Sequence, residues 1–171
     1  QWSEARDLLK QAISSAAVLG GKENDDTRQL LTLADTQLEM AGVLRQLGLY
    51  EEELSIYGLV LPTYRKLLDV IPDNPEFREA LAFVLLDRAQ LFTEMHRSDE
   101  ANRDLDEATS LIARLTTQFP QVSQYQQELS AALESRGILL HLAGNFSDAR
   151  AKLQQSIAIY ERLALGRPDE P

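Results

Sequence analysis

The chain contains no cysteine, which removes disulfides, thiolate metal ligands and thiol nucleophiles at once. Glycine and proline are scarce, 8 and 6 among 171 residues, while Leu, Ala, Glu, Gln and Arg abound, so intrinsic propensity favours helix over sheet. No apolar run approaches the roughly 20 residues that a membrane-spanning helix needs. Positive charge is also short: 17 Lys and Arg face 27 Asp and Glu, a net charge of −10, and the basic residues do not cluster. Such a chain repels phosphate backbones and anionic lipid, so neither nucleic acid nor membrane is an expected partner. The histidines are His96 and His141. The second has no acid or histidine three or four residues away, so no metal site is expected there. No glycine pattern matches a phosphate loop or a dinucleotide fingerprint. A non-enzymatic chain without cofactor or metal is expected, and the absence of cysteine is compatible with the cytoplasm. The 44% hydrophobic content is still enough for a packed interior, and the fold class expected is all-α.

What the chain does contain is a repeat. The stretches GLYEEELSIY (Gly48 to Tyr57), HRSDEANRDL (His96 to Leu105) and GNFSDARAKL (Gly144 to Leu153) recur at intervals of 48 residues. A fourth copy without the glycine opens the chain, with Trp2 in the place of Tyr50, Ser98 and Phe146, and Ala5 in that of Glu53, Ala101 and Ala149. Pro72, Pro120 and Pro168 share another register, filled by Asn24 in the first copy. Ala41, Ala89 and Gly137 are all small, and Leu9, Tyr57, Leu105 and Leu153 are all large and apolar. A fixed period of this length marks a solenoid or array.

Between each proline and the next turn lies a helical pattern, as in Phe77, Leu81, Leu85, Ala89, Phe92 and Met95. After the turn comes a second, as in Ala101, Leu105, Ala108, Ile112 and Leu115, begun by Ser98 with Asp99 and Glu100 at the positive helix end. The predicted helices are 3–19, 27–47, 50–69, 75–95, 98–118, 122–143 and 146–165. These seven make three and a half antiparallel hairpins, arranged as a half repeat 1–23 and repeats 24–71, 72–119 and 120–171 of a single array. Pro62 is expected to kink the 50–69 helix, with a complete break near Leu61 as the alternative.

Gly144 is expected to take the left-handed conformation that ends a helix, Phe146 to plug the hairpin, and Ala149 to let the two helices approach closely. Gly20-Gly21 falls at a repeat junction, and Glu51, Glu52 and Glu53 are explained by the dipole of the helix they begin. Arg88 and Arg136 share a register, which favours an ion-pair ladder between neighbouring repeats over ligand binding. The Asn-Phe-Ser triplet at 145–147 is a weak N-glycosylation signal. Gln1 is not a natural start, and the chain reads as a piece of a longer protein.

A small residue in the first helix, then Gly-x-aromatic-x-x-Ala, an apolar residue four later and a closing proline resembles the tetratricopeptide repeat. The resemblance covers the whole chain. It places the first-helix small position on Ala41, Ala89 and Gly137, and the second-helix alanine on Ala5, Ala101 and Ala149; Glu53 departs from it. His96 replaces the turn glycine, so that repeat is expected to need a different helix ending. The usual period is about 34 residues. The extra length divides into two insertions of about seven, roughly two helical turns each, which keep the apolar stripe on the same side. The junctions PDNPEFREALA (Pro72 to Ala82) and PQVSQYQQELS (Pro120 to Ser130) look similar to long repeats in the tails of bacterial serine/threonine protein kinases. No kinase motif is present in the chain itself.

The resemblance implies a right-handed α-solenoid whose first helices line a concave surface that grips a peptide or protein segment. On that reading the binding positions are Asp35, Leu38, Gly42 and Arg45, then Phe83, Leu86, Gln90 and Thr93, then Ala131, Glu134, Ile138 and His141, bordered by Glu39, Asp87 and Glu94. The family's carboxylate clamp needs lysines and asparagines at several of these places, and none is present. Leu38, Phe83, Leu86 and Ile138 among acids imply instead a partner with apolar anchors and Lys or Arg. The alternative expectation is an oligomerisation or spacer module that stacks through its terminal helices as a homodimer, or the regulatory tail of a kinase.

Overall fold

The computed structural model describes residues 23–166, with side chains from residue 27 onward. Six helices lie among the described residues: α1 (Glu23–Gln46), α2 (Tyr50–Val70), α3 (Pro75–Glu94), α4 (Ser98–Gln118), α5 (Ser123–Leu142) and α6 (Phe146–Gly166). The helix predicted at 3–19, the Gly20-Gly21 junction and Pro168 lie outside the described residues. Five of the six helices match prediction to within a residue at each end. α1 begins four residues early, at Glu23 rather than 27, because Asn24 stands where the other copies carry a proline and nothing there breaks the backbone hydrogen bonding.

Two compact units meet in sequence between Asn74 and Pro75. In the first, α1 and α2 form one antiparallel hairpin. In the second, α3 packs on α4 and α5 on α6, while α4 packs on α5 and α3 touches α5, so that two hairpins stack. This neighbour-on-neighbour packing of helices is that of a helical repeat. A buried cluster stitches the stack together: Ala82 of α3, Ile112 of α4 and Ala132 of α5, with Leu86, Leu111 and Leu129 packed around them. Burial of a side chain such as Ile112 stabilises the fold by about 1.5–3 kcal/mol.

All three described turns end the first helix of their hairpin in the same way. Gly48, His96 and Gly144 have φ of 68°, 59° and 79°. At each, this residue's amide donates to the carbonyl three back and the next amide to the carbonyl five back, as in Gly144 N to His141 O and Asn145 N to Leu140 O, both 2.9 Å. That is a Schellman ending. The expectation that His96 needs a different ending is therefore corrected: Arg97 N reaches Phe92 O at 2.8 Å and His96 itself carries the left-handed backbone. Ser98 is likewise not a cap. It is the first helical residue of α4, and the capping position is Arg97, which makes no side-chain capping bond.

The small residues of the repeat have a steric reason. A Cβ on Gly137 would lie 2.8 Å from Leu153 Cγ and 3.3 Å from the Ala149 carbonyl oxygen, so α5 and α6 are in backbone-to-backbone contact there. Ala149 is buried at this crossing, as expected. Phe146 does not plug the hairpin. It is 64% exposed, held only edge-on by His141 at 5.3 Å between ring centroids. α2 runs unbroken through Pro62, whose ring is exposed while Val60, Leu61 and Tyr64 are buried. Placing the proline on the solvent side leaves the carbonyl of Gly58 to water rather than to the core.

Candidate interaction surface

In the second unit, the first helices α3 and α5 lie against each other, and the repeat register matches Phe83 with Ala131, Leu86 with Glu134, Gln90 with Ile138 and Glu94 with Leu142. On α3, Phe83 is 57% exposed, Leu86 is half-buried against the Ile112 cluster, and the Gln90 amide donates to Glu94 Oε1 at 3.1 Å. On α5, Glu134 and His141 are exposed, and Ile138 is 47% exposed. These residues share one face of the unit. Asp87 is half-buried and already engaged by a neighbouring group, which makes it a poorer recognition charge than Glu94 or Glu134. Thr93 turns its hydroxyl back to Ala89 O at 2.9 Å.

Sequence reasoning missed Leu142, which occupies the register of Glu94 and is 64% exposed. The signal was available: an apolar residue at a position where the preceding copy carries an acid.

The first unit holds the remaining predicted positions. Glu39 and Gly42 are exposed on α1, and Leu38 is half-buried. Asp35 accepts a hydrogen bond from the Tyr64 hydroxyl; burial first, and then the charge and hydrogen bond of Asp35, push that phenol up to about 12. Arg45 faces inward rather than toward a ligand. Its Nε donates to Glu53 Oε1 at 2.8 Å, and Tyr57 donates to the same oxygen at 3.0 Å. Glu53 is fully buried. The departure of Glu53 from the repeat pattern thus has a partial local remedy: Arg45 and Tyr57 both donate to Oε1, while Oε2 is buried without a hydrogen-bond partner among the described residues. The helix dipole alone does not explain it.

A second polar group joins α3 to α5. Gln124 Nε2 donates to Glu79 Oε1 at 2.6 Å and to Glu128 Oε1 at 3.1 Å, and Tyr125 donates to Glu79. Burial raises Glu128 above its ordinary value, against the hydrogen bond from Gln124, which lowers it; the Glu79 charge adds to the rise. Tyr125 is raised by burial and then by Glu79. No repeat register aligns these residues, so sequence periodicity could not find them.

The expected ion-pair ladder exists in part. Arg88 grips Asp104 with two bonds, Nε to Oδ2 and Nη2 to Oδ1, both 2.7 Å. Its guanidinium lies 5.5 Å from the centroid of Phe92, with that of Arg97 at 4.7 Å. Arg97 in turn holds Glu100 at 2.8 Å and, through that hydrogen bond, lowers the Glu100 carboxyl below its ordinary range. Arg136 does not repeat the Arg88 arrangement. It reaches back to the preceding hairpin, where Nη1 meets Asp106 Oδ1 at 2.9 Å and Asn102 O at 3.2 Å. Lys152 stands in the register of Asp104 and offers Arg136 no carboxylate.

No group of three or more His, Cys, Asp or Glu that could hold a metal occurs among the described residues, and no helix among them is long and apolar enough to cross a membrane. No family model matches the chain, and no curated protein matches it. The crystal structure of BtubC (BKLC) from P. vanneervenii is similar over 94% of this chain and 74% of that chain, at 15% sequence identity and a TM-score of 0.44.

Proposed function

We propose that the chain is a long-period tetratricopeptide-like array, wound as a right-handed solenoid, that acts without catalysis as a protein-interaction scaffold. The first helices of the second unit carry the site. The observation that supports this reading is the exposure of Phe83 at 57% and Ile138 at 47% on adjacent helices, beside the exposed carboxylates of Glu94 and Glu134. Large apolar side chains grouped with charge of one sign are a surface that a partner covers.

The occupant is a peptide or protein segment with apolar anchors and Lys or Arg. Covering the exposed half of Phe83 and of Ile138 supplies about 1 kcal/mol for each side chain, of which part is lost to ordering the segment. Opposite charge favours encounter and register. Asp35, Leu38 and Glu39 give the first unit a smaller acidic-apolar face of the same kind. Titrating a Lys- and Leu-containing peptide against the parent chain and against the Glu94→Lys, Glu134→Lys variant tests the reading. The variant is expected to bind about tenfold more weakly, the scale of one or two close charge pairs; equal affinity would remove the acidic face from the site.

A second reading is favoured by α6. Tyr160 is 46% exposed, whereas Ile112 in its register is fully buried, and Ile157 and Leu165 are 54% and 81% exposed. A second copy of the chain covering this face would make the array an end-to-end oligomer. Light scattering over a concentration series distinguishes the two, because a Tyr160→Lys variant would then stay monomeric where the parent associates.

A further inference from the structure

Of the polar and charged features outside the first-helix surface, one is set apart by the repeat itself. A cleft of about 250 Å³ opens between α4, α5 and α6, lined by Asp106, Thr109, Ser110, Leu133, Arg136 and Lys152 among others. In the preceding hairpin the equivalent arginine, Arg88, closes a two-bond pair on Asp104, using its Nε and Nη2 edge. In this hairpin the carboxylate position is Lys152. Arg136 uses Nη1 alone, for Asp106 and Asn102, and its Nε and Nη2 edge has no partner among the described residues. Asp106 is a weak substitute, with its side chain 67% exposed. Lys152 has no ion-pair partner among the described residues either, and it is half-buried.

Two cations therefore share one cleft where the fold elsewhere holds a cation and a carboxylate. An adjoining cleft shares Ser110 and Ala113 and adds Arg114 and Thr117. With Asp106 the only acid among the described residues of the two linings, this is a local positive site on a chain of net charge −10. The guanidinium fork is shaped for a carboxylate or another oxyanion in two-bond geometry, and the Lys152 ammonium can add a third donor to the same oxygens. We propose that this cleft binds a carboxylate supplied by a ligand, which takes the place that Asp104 holds in the preceding hairpin. The site is separate from the α3 and α5 surface and has the opposite charge preference, so it serves a second, acidic contact.

The test is amide chemical-shift mapping of the whole chain with three probes at matched ionic strength. These are N-acetyl-glutamate α-amide, with a side-chain carboxylate, N-acetyl-leucine, with a terminal carboxylate, and inorganic phosphate. Saturable shifts at Thr109, Ser110, Arg136 and Lys152 with either carboxylate are expected, and the tighter of the two identifies its source. Lys152→Asp refills the position from within the chain. It should raise the thermal midpoint and weaken the probe by about tenfold or more, the scale of losing a charge-assisted hydrogen-bonded partner.

Arg136→Lys keeps the charge, removes the fork and should also weaken binding; Lys152→Gln replaces Lys152→Asp if that variant does not fold. Saturation by phosphate alone would overturn the carboxylate assignment. Shifts confined to other residues, no saturable shift, or unchanged binding in the Lys152 variants would overturn the site.

Discussion

Gly137 and Gly42 occupy helix interiors for different reasons, and alanine separates them. At Gly137 an added Cβ meets Leu153 Cγ at 2.8 Å and the Ala149 carbonyl at 3.3 Å. Crowding costs about 1–3 kcal/mol and outweighs the ~1 kcal/mol that alanine returns in helix propensity. Gly137→Ala is expected to lower the urea midpoint. At Gly42 nothing lies within 4 Å, so Gly42→Ala should raise stability by up to ~1 kcal/mol. His96 holds a φ of 59° without being glycine, and His96→Gly should stabilise by up to about 1 kcal/mol through relief of that backbone. Arg45→Ala removes the countercharge of the buried Glu53 carboxylate and leaves it only the Tyr57 hydroxyl; a loss of roughly 3 kcal/mol in chemical unfolding is expected, whereas a loss within ~0.5 kcal/mol would show that the pair is not what holds Glu53. These roles were partly legible in the sequence. The run of Ala41, Ala89 and Gly137 announced close packing, but the inward turn of Arg45 was hidden, because only the fold shows that Glu53 is buried and needs a donor.

Helix boundaries were the most legible feature of the elements, since turn glycines and junction prolines recur in one register and each has a backbone reason to end a helix. His96 escaped because a sequence rule keyed to glycine does not see that another residue can carry the same turn when its hydrogen bonds are already in place. Contacts between hairpins were not legible: the Glu79, Gln124, Tyr125 and Glu128 group unites α3 with α5 through residues that no register aligns. That group has a pH consequence. The Glu128 carboxyl is raised above its ordinary 4.5 by burial, so the folded state holds its proton more tightly than the unfolded state does. The associated stability is fully present below 4.5 and is lost as pH rises through the higher folded value. Glu128→Gln removes the ionisation and keeps the shape. Its thermal midpoint should exceed that of the parent at pH 7, and the difference should shrink or vanish at pH 4; a gain of equal size at both would assign the effect to something other than ionisation.

At the scale of the molecule, sequence and structure agree, among the described residues, on helices paired into antiparallel hairpins, two of which stack in the second unit. The face proposed for a partner was legible only as a set of register positions, which differ in exposure. Phe83, Ile138, Glu94 and Glu134 are exposed on adjacent helices of one unit, while Arg45 and Asp87 are occupied by contacts of their own. Which register positions are exposed depends on how each helix is rotated against its neighbour, and periodicity alone fixes that rotation too coarsely to sort neighbouring positions. The most direct test of the proposed scaffold is selection of binders from a random peptide library, followed by amide chemical-shift mapping of the enriched peptide on the whole chain. Enriched peptides are expected to carry apolar anchors with Lys or Arg and to shift Phe83, Gln90, Glu94, Glu134 and Ile138. Failure to enrich any peptide, or shifts confined to residues outside this face, would contradict the account.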